Sequence, residues 1–399
     1  MPARRSGPVV AECQRRDEGM RSMRLLVALG LLASVVGCRT QATKPAVAPK
    51  APKQLKIGAL LPLTGDAAVW GKNAKEGIDL AIAKVNSAPG PKGTKLSVVY
   101  EDSQADPKTG VSAFNKLISV QKVPAVIGDI VSSVVLAVAP IATQKQVVIL
   151  SPGATAPNIS GISKFVFRNW NSDALEGKVA ADFCRNQLKL SRAAIIYINN
   201  DYGKGLQEVF AREFAARAGQ VVAAETFPQN ATSYRTQISK AKAAKPEVLY
   251  LAGYPKEIPL VLKQARELGL KCQVVATVAF EDPQVVKVAR AAAEGVVYPF
   301  PAPLNDKDPA RQDYMTAFKT KYHKAPGIGV DTCWDAVNMI AEAIRLGGGA
   351  SGDQIRGGLT KLKHFPGASG VMTFDAYGDV NKPMVMKTVR GGKFVPLQR

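Results

Sequence analysis

The chain has 399 residues, 46% hydrophobic and 21% charged, so it carries ample material for a large core, and disorder over most of its length is excluded. Its 34 Gly and 26 Pro are too sparse and aperiodic for a fibrous protein, and five Cys with two His leave little for a disulfide scaffold, zinc or haem. A net charge of +21 raises nucleic acid or an anionic membrane as partners. The basic residues are spread as singletons and pairs, however, without the clustering of a nucleic-acid footprint, so no nucleic-acid partner is expected.

The N-terminal segment bears on the compartment. Residues 25–36 (LLVALGLLASVV) carry no charge, and Arg21 and Arg24 stand just before them. Such a run is too short to span a bilayer, which takes about 20 apolar residues, but basic residues followed by a short apolar stretch are the order of a secretory signal. Val35-Val36-Gly37-Cys38 then resembles the lipobox of bacterial lipoproteins. The resemblance implies cleavage before Cys38 and its acylation, so that residues 1–38 are removed or modified and the chain is held at a membrane. Residues 1–19 look unlike a signal and read as an over-called start upstream of Met20 or Met23. Residues 39–54, rich in Pro, Ala and Lys, read as a tether. Cys184, Cys272 and Cys333 read as buried small hydrophobes, with one disulfide among them left open.

From Leu55 onward, short apolar runs alternate with helical periodicity. Strands are predicted at 55–61, 95–101, 124–128, 147–150, 193–198, 221–227, 247–252, 272–277 and 295–298, continuous enough in hydrophobicity to be buried on both faces of a parallel sheet. Between them, Ile78, Ala81, Ile82 and Val85 form one helix face, behind an Asn73-x-x-Glu76 capping pattern. Val111, Phe114, Leu117 and Ile118 form another; Leu206, Phe210 and Phe214 a third. Ile258, Val261, Leu262, Ala265 and Leu268, then Trp334, Val337, Ala341 and Ile344, follow. Asp173-x-x-Glu176 starts the helix that opens the second half, after a crossing segment at 166–172. The pattern predicts an α/β fold of two doubly wound parallel-sheet lobes with a ligand cleft between them, outside the C-terminal strand ends.

Enzyme motifs fail on inspection. Gly65 to Asn73 (GDAAVWGKN) has one residue too many between its glycines, and Asn after the Lys, for a phosphate loop. No G-x-S-x-G, H-E-x-x-H or C-x-x-C occurs, His323 and His364 read as surface residues, and no carboxylate pair stands out. No catalytic residue, metal or cofactor is expected.

The segment Lys56–Gly65 (KIGALLPLTG), with Trp70-Gly71 and Gly77-Ile78, resembles the opening of type I periplasmic binding proteins of the leucine/isoleucine/valine-binding family. Tyr100-Glu-Asp102, Asp106-Pro-Lys108, Val126-Ile-Gly128, Ser132-Ser133 and Ser151–Pro157 (SPGATAP) continue the match in order, and Asp201-Tyr202-Gly203, Gly253-Tyr254, Trp334-Asp335-Ala336 and Phe374-Asp375 close it. The resemblance implies two lobes joined by three crossings, 55–170 with 301–371 and 171–300 with 372–399, that close on a small molecule and deliver it to an ABC permease. A monomer is expected.

The matched residues suit that chemistry. Ser132 and Ser133 open a helix whose free N–H groups and dipole would meet a carboxylate, with plain capping as the alternative. Gly153 would let backbone approach a ligand and Thr155 offers a hydroxyl, unless both merely form a turn. Trp70 would wall the cleft from the first strand–helix loop, and Tyr202 and Tyr254 would close over the ligand or simply pack. Amino-acid-binding relatives place a carboxylate for the ligand ammonium where this chain has Val278. Either Glu281 or Asp331 replaces it or the ligand has no ammonium, since an unpaired buried ammonium is costly. The family's small first-lobe disulfide is also absent, its positions being Ala105 and Val131. The expectation is therefore an exported, lipid-anchored binding protein for an aliphatic, branched-chain amino acid, with a small amide, urea or carboxylic acid next. A ligand-free lipoprotein that regulates an envelope partner is the rival of another class.

Overall fold

The computed structural model describes residues 54–87, 95–302 and 304–398. The signal-like segment, Cys38 and most of the tether lie outside them. Among the described residues no helix is long and apolar enough to cross a membrane.

The first sheet holds β1 (Gln54–Leu61), β2 (Lys95–Asp102), β3 (Ala125–Gly128), β4 (Val148–Ser151) and β5 (Val166–Arg168) in the order β2-β1-β3-β4-β5, every pair parallel. Its helices are α1 (Ala68–Ser87), α2 (Pro107–Asn115) and α3 (Ser132–Lys145). Residues 57–61 of β1 and all of β3 and β4 are buried, as strands covered on both faces require. After β5 the chain crosses to α4 (Asp173–Asp182), β6 (Arg192–Ile198), α5 (Asp201–Ala215), β7 (Gln220–Phe227), α6 (Arg235–Ala243), β8 (Val248–Ala252), α7 (Ile258–Glu267), β9 (Gln273–Ala276), α8 (Pro283–Ala289) and β10 (Val297–Pro301). It returns to pack α9 (Pro309–Tyr322), α10 (Val330–Leu346), α11 (Gly352–Lys361) and the small hairpin β11 (Phe365–Gly367) and β12 (Gly370–Met372) with the first sheet's core. It crosses again to end in β13 (Met384–Arg390) and β14 (Lys393–Pro396). The second sheet runs β14-β13-β10-β9-β8-β6-β7, parallel except for β13, which is antiparallel to both β10 and β14.

Both sheets therefore repeat one parallel order, in which the strand sequence reverses between the first and third strands of each lobe. At such a reversal the connections leave in opposite directions and open a crevice at the carboxyl ends of the strands. Residues after β1 and β3, and after β6 and β8, face that crevice.

Three local expectations are corrected. The first helix starts at Ala68, so Asn73 lies within it; its amide donates to the Ile328 carbonyl at 3.2 Å instead of capping. Trp70 is accordingly helical, not in a loop. Residues 166–168 of the presumed crossing form edge strand β5, so the crossing begins only after Arg168. The helix α4 starts at Asp173, as expected, and Ser172 before it is the cap, accepting from the Ala174 N–H at 3.2 Å. Cys184, Cys272 and Cys333 are all free thiols, and His323 and His364 are exposed.

A buried ion pair fastens two of the interlobe segments. Arg168, at the end of β5, is fully buried and holds Asp379 through Nε–Oδ1 at 2.6 Å and Nη2–Oδ2 at 2.9 Å. Its remaining N–H groups reach the Ala156 carbonyl at 3.0 Å and Ser160 Oγ at 2.6 Å.

Candidate functional site

The two lobes meet face to face. The Asp201 N–H donates to Ser133 Oγ at 3.2 Å, tying the start of α5 to the start of α3. Lys256 pairs with Asp66 across the lip, and the Trp70 and Tyr254 rings meet edge to face at 5.1 Å. Tyr202 stacks on Tyr254 at 5.7 Å. This is a shut form of the cleft.

Between the lobes lies a cavity. Six of the expected residues line it together: Trp70, Ser132, Gly153, Thr155, Tyr202 and Tyr254. They come from the connections after β1, β3, β4, β6 and β8, the strand ends that the topology turns toward the crevice. Ser133 does not line it and contributes the interlobe bond instead. Sequence reasoning did not single out the apolar remainder, chiefly Ile130, Val131, Pro152, Trp170, Ile328 and Cys333. An aromatic in a crossing segment, as Trp170 is, was the one available signal among these. Gly153 serves packing: a Cβ there would stand 2.9 Å from Ile130 Cγ2.

Two hydroxyls of the wall are poised to donate. Ser132 Oγ accepts the N–H groups of Thr155 and Ala156, both at 3.1 Å, so its own proton is free for a ligand. Tyr254 Oη accepts from Asn200 Nδ2 at 2.8 Å and likewise keeps its proton. The start of α3 adds backbone N–H groups and the positive end of the helix dipole. Thr155 and Tyr202 have spent their protons, on Asp173 Oδ2 and on Thr277 Oγ1, both at 2.9 Å. A wall that offers protons and helix N–H groups suits an anion.

Among the described residues no carboxylate side chain lines this cavity. Val278 does, at the position where the resemblance implied one. Glu281 and Asp331, the expected replacements, line a neighbouring cavity instead. Glu281 is engaged by Tyr298 and Lys387, and Asp331 accepts from the Thr332 N–H at 2.9 Å in the first turn of α10. Two unforeseen acids stand behind the wall, both buried: Asp173 under Thr155, and Glu176, which accepts the Val278 N–H at 2.8 Å. Burial raises both, and the negative charge of Asp173 raises Glu176 further, so the two resist ionising together. At the end of β3, burial pushes Asp129 up to about 7. At the lip, burial and then the nearby Asp66 push Glu257 up to about 7. Among the described residues no group of His, Cys, Asp and Glu could hold a metal ion.

The sequence profile of the periplasmic binding protein family matches residues 54–393. The chain belongs to that family. Its relatives include the leucine-, isoleucine-, valine-, threonine- and alanine-binding protein of Pseudomonas aeruginosa, 29% identical over 327 residues that cover 82% of this chain and 87% of the relative. A leucine-binding protein LivK from Thermotoga maritima superposes with a TM-score of 0.81 at 28% identity, covering 86% of this chain and 98% of that one. The branched-chain amino acid binding protein LivJ from Streptococcus pneumoniae, solved with isoleucine, gives 0.78 at 26% identity over 86% and 98%. This α/β, two-sheet fold is thus that of solute-binding proteins outside the cytoplasm, and these relatives are binding proteins, not enzymes.

Proposed function

We propose that this chain is the lipid-anchored, extracytoplasmic binding component of an ABC importer, and that its first cavity takes the carboxylate end of a small organic acid with an apolar body. The lipobox and tether support the anchor, and the family supports the permease partner. Capture proceeds by closure: Ser132 and the start of α3 bind from one lobe, with Thr155 walling the site beside them, and Tyr254, stacked on Tyr202, favours the shut form from the other.

The observation that carries the ligand class is the cavity wall, which presents free hydroxyl and helix N–H donors and no carboxylate side chain. A ligand ammonium would enter this site without a direct counter-charge, at considerable cost. A branched-chain amino acid is the second reading, favoured by what the relatives' names say they bind and by Asp173 and Glu176 behind the wall.

Calorimetry with leucine and with its ammonium-free counterpart, 4-methylpentanoate, separates the two. The organic-acid reading expects the acid to bind at least as tightly as leucine. Leucine binding well above the acid refutes it. Ser132→Ala combined with Thr155→Ala should weaken either ligand by several kcal/mol at most, with the fold intact; unchanged affinity places the site elsewhere.

A further inference from the structure

The cleft does not end at the first cavity. On the other side of Trp170 lies a second space, and the two cavities share Trp170, Ile328 and Gly329 as common wall. Both lobes and the crossings line it: Phe300, Lys387 and Phe394 from one side, Arg311 and Asp331 from the other, and Lys382 from the final crossing. The Lys382 backbone is pinned, its N–H donating to Asn171 Oδ1 at 2.7 Å and its carbonyl accepting from Asn171 Nδ2 at 2.9 Å.

The charges there differ in how well they are satisfied. Glu281 is neutralised by Lys387 and bonded to Tyr298. Arg311 reaches the exposed Asp306 at 3.0 Å. Asp331 sits in the first turn of α10, where the helix N-terminus supports a carboxylate. Asp335, behind the wall, accepts the Ala368 N–H at 2.7 Å, the Ser369 N–H at 2.8 Å and the Ser369 hydroxyl at 2.5 Å. Lys382 is the exception. It is only 6% exposed, and the hydrogen-bond partner of its ammonium among the described residues is Ser369 Oγ at 2.7 Å. Three N–H donors thus meet one neutral oxygen, with Asp335 and Asp331 nearby but not in contact. The ammonium stands 5.8 Å from the Trp170 ring centre, beside the partition between the cavities. Burial depresses its proton affinity, as expected of a cation short of acceptors.

We propose that this second compartment binds the distal acidic group of an elongated organic acid, with Lys382 as its counter-charge, so that the full ligand of the cleft is a dicarboxylate with an apolar spacer passing Trp170. This rests on the reading of the first cavity as a carboxylate site and extends it. Phe300, Phe394 and Trp170 supply the apolar walls for the spacer, and the Lys382 ammonium, which keeps N–H donors beyond the one given to Ser369, meets the far carboxylate.

The test compares glutarate, adipate and pimelate with pentanoate, hexanoate and heptanoate by calorimetry on the full chain. At least one dicarboxylate should bind roughly 10- to 100-fold tighter than its monocarboxylate of equal length, the usual worth of a charge-assisted hydrogen bond to a buried cation. Lys382→Met should abolish that gain while leaving monocarboxylate affinity within about twofold, and Lys382→Arg should restore part of it. The wild-type ranking is a test in itself, independent of whether a variant folds. If no dicarboxylate exceeds its counterpart, or if Lys382→Met keeps the full gain, the proposal is overturned. So it is if a terminal diamine such as cadaverine binds in a manner lost in Asp331→Asn. Monocarboxylate binding weakened by Ser132→Ala, with no dicarboxylate gain, overturns the second compartment and leaves the first-cavity reading standing. A gain lost in Lys382→Met but indifferent to Ser132→Ala and Thr155→Ala does the reverse.

Discussion

Removing Asp379 isolates the charge that fastens the interlobe segments. Asp379→Ala deletes both carboxylate oxygens that receive Arg168 Nε and Nη2, and it frees Ser160 Oγ, which donates to Asp379 Oδ2 at 2.6 Å. Arg168 is completely buried and keeps only two neutral acceptors, the Ala156 carbonyl and Ser160 Oγ. An uncompensated buried guanidinium costs about 3–5 kcal/mol when its partner alone is removed, whereas replacing both partners with apolar residues costs much less. The expected series in urea denaturation is therefore a loss of about 3–5 kcal/mol for Asp379→Ala, a smaller loss for Asp379→Asn, which keeps one acceptor, and substantial recovery in Arg168→Met with Asp379→Leu. Arg168 also holds Asp173 toward ionisation, so the double variant should bind ligand with an altered pH profile. A loss under about 1 kcal/mol for Asp379→Ala would show that the pair contributes no more than a surface bridge and would refute the argument.

Two further outcomes arise from the buried acids and the lip. Asp129 and Glu257, both pushed up to about 7, keep protons in the folded chain that the unfolded chain has already released. Their stabilisation is complete below the ordinary carboxylate range and is lost as pH rises to about 7; Asp173 and Glu176, raised by burial, act in the same direction. The stabilisation from the depressed Asp102, Asp106, Glu213 and Glu247 is fully present above the ordinary carboxylate range and is lost only as pH falls through and below it, so it does not change between pH 5 and 7.5. Thermal unfolding should therefore show a higher midpoint near pH 5 than near pH 7.5, and a midpoint that rises across that interval contradicts the assignment. Lys256→Met leaves Asp66 and the buried Glu257 facing each other at the lip without a cation. Because Lys256 is half exposed, ligand affinity should fall only about two- to fivefold, with small-angle scattering showing a more open average form; unchanged affinity would remove the lip pair from the closing mechanism.

Legibility in the sequence divides along the distance between partners. Strands such as β3 and β8 announce themselves because burial on both faces demands an unbroken apolar run, a strictly local signal. Strand β5 does not, because its third residue is an arginine whose partner, Asp379, lies 211 positions away. The same holds at the site. Ser132, Thr155, Tyr202 and Tyr254 follow strand ends, and a doubly wound order carries strand ends to one crevice, so a local pattern sufficed to bring them together. Glu281 and Asp331 carried the right charge for an ammonium, but the sequence holds no sign that Lys387 and Tyr298 occupy the first or that the second faces another compartment. Lys382 was invisible for the converse reason: in a chain with 53 basic residues a single lysine attracts no notice. Only its burial between Trp170 and Ser369 separates it from the solvated ones. A charge becomes informative when the fold withholds its partner, and here that withheld partner is what turns a general family cleft into a specific proposal about the ligand's length and second charge.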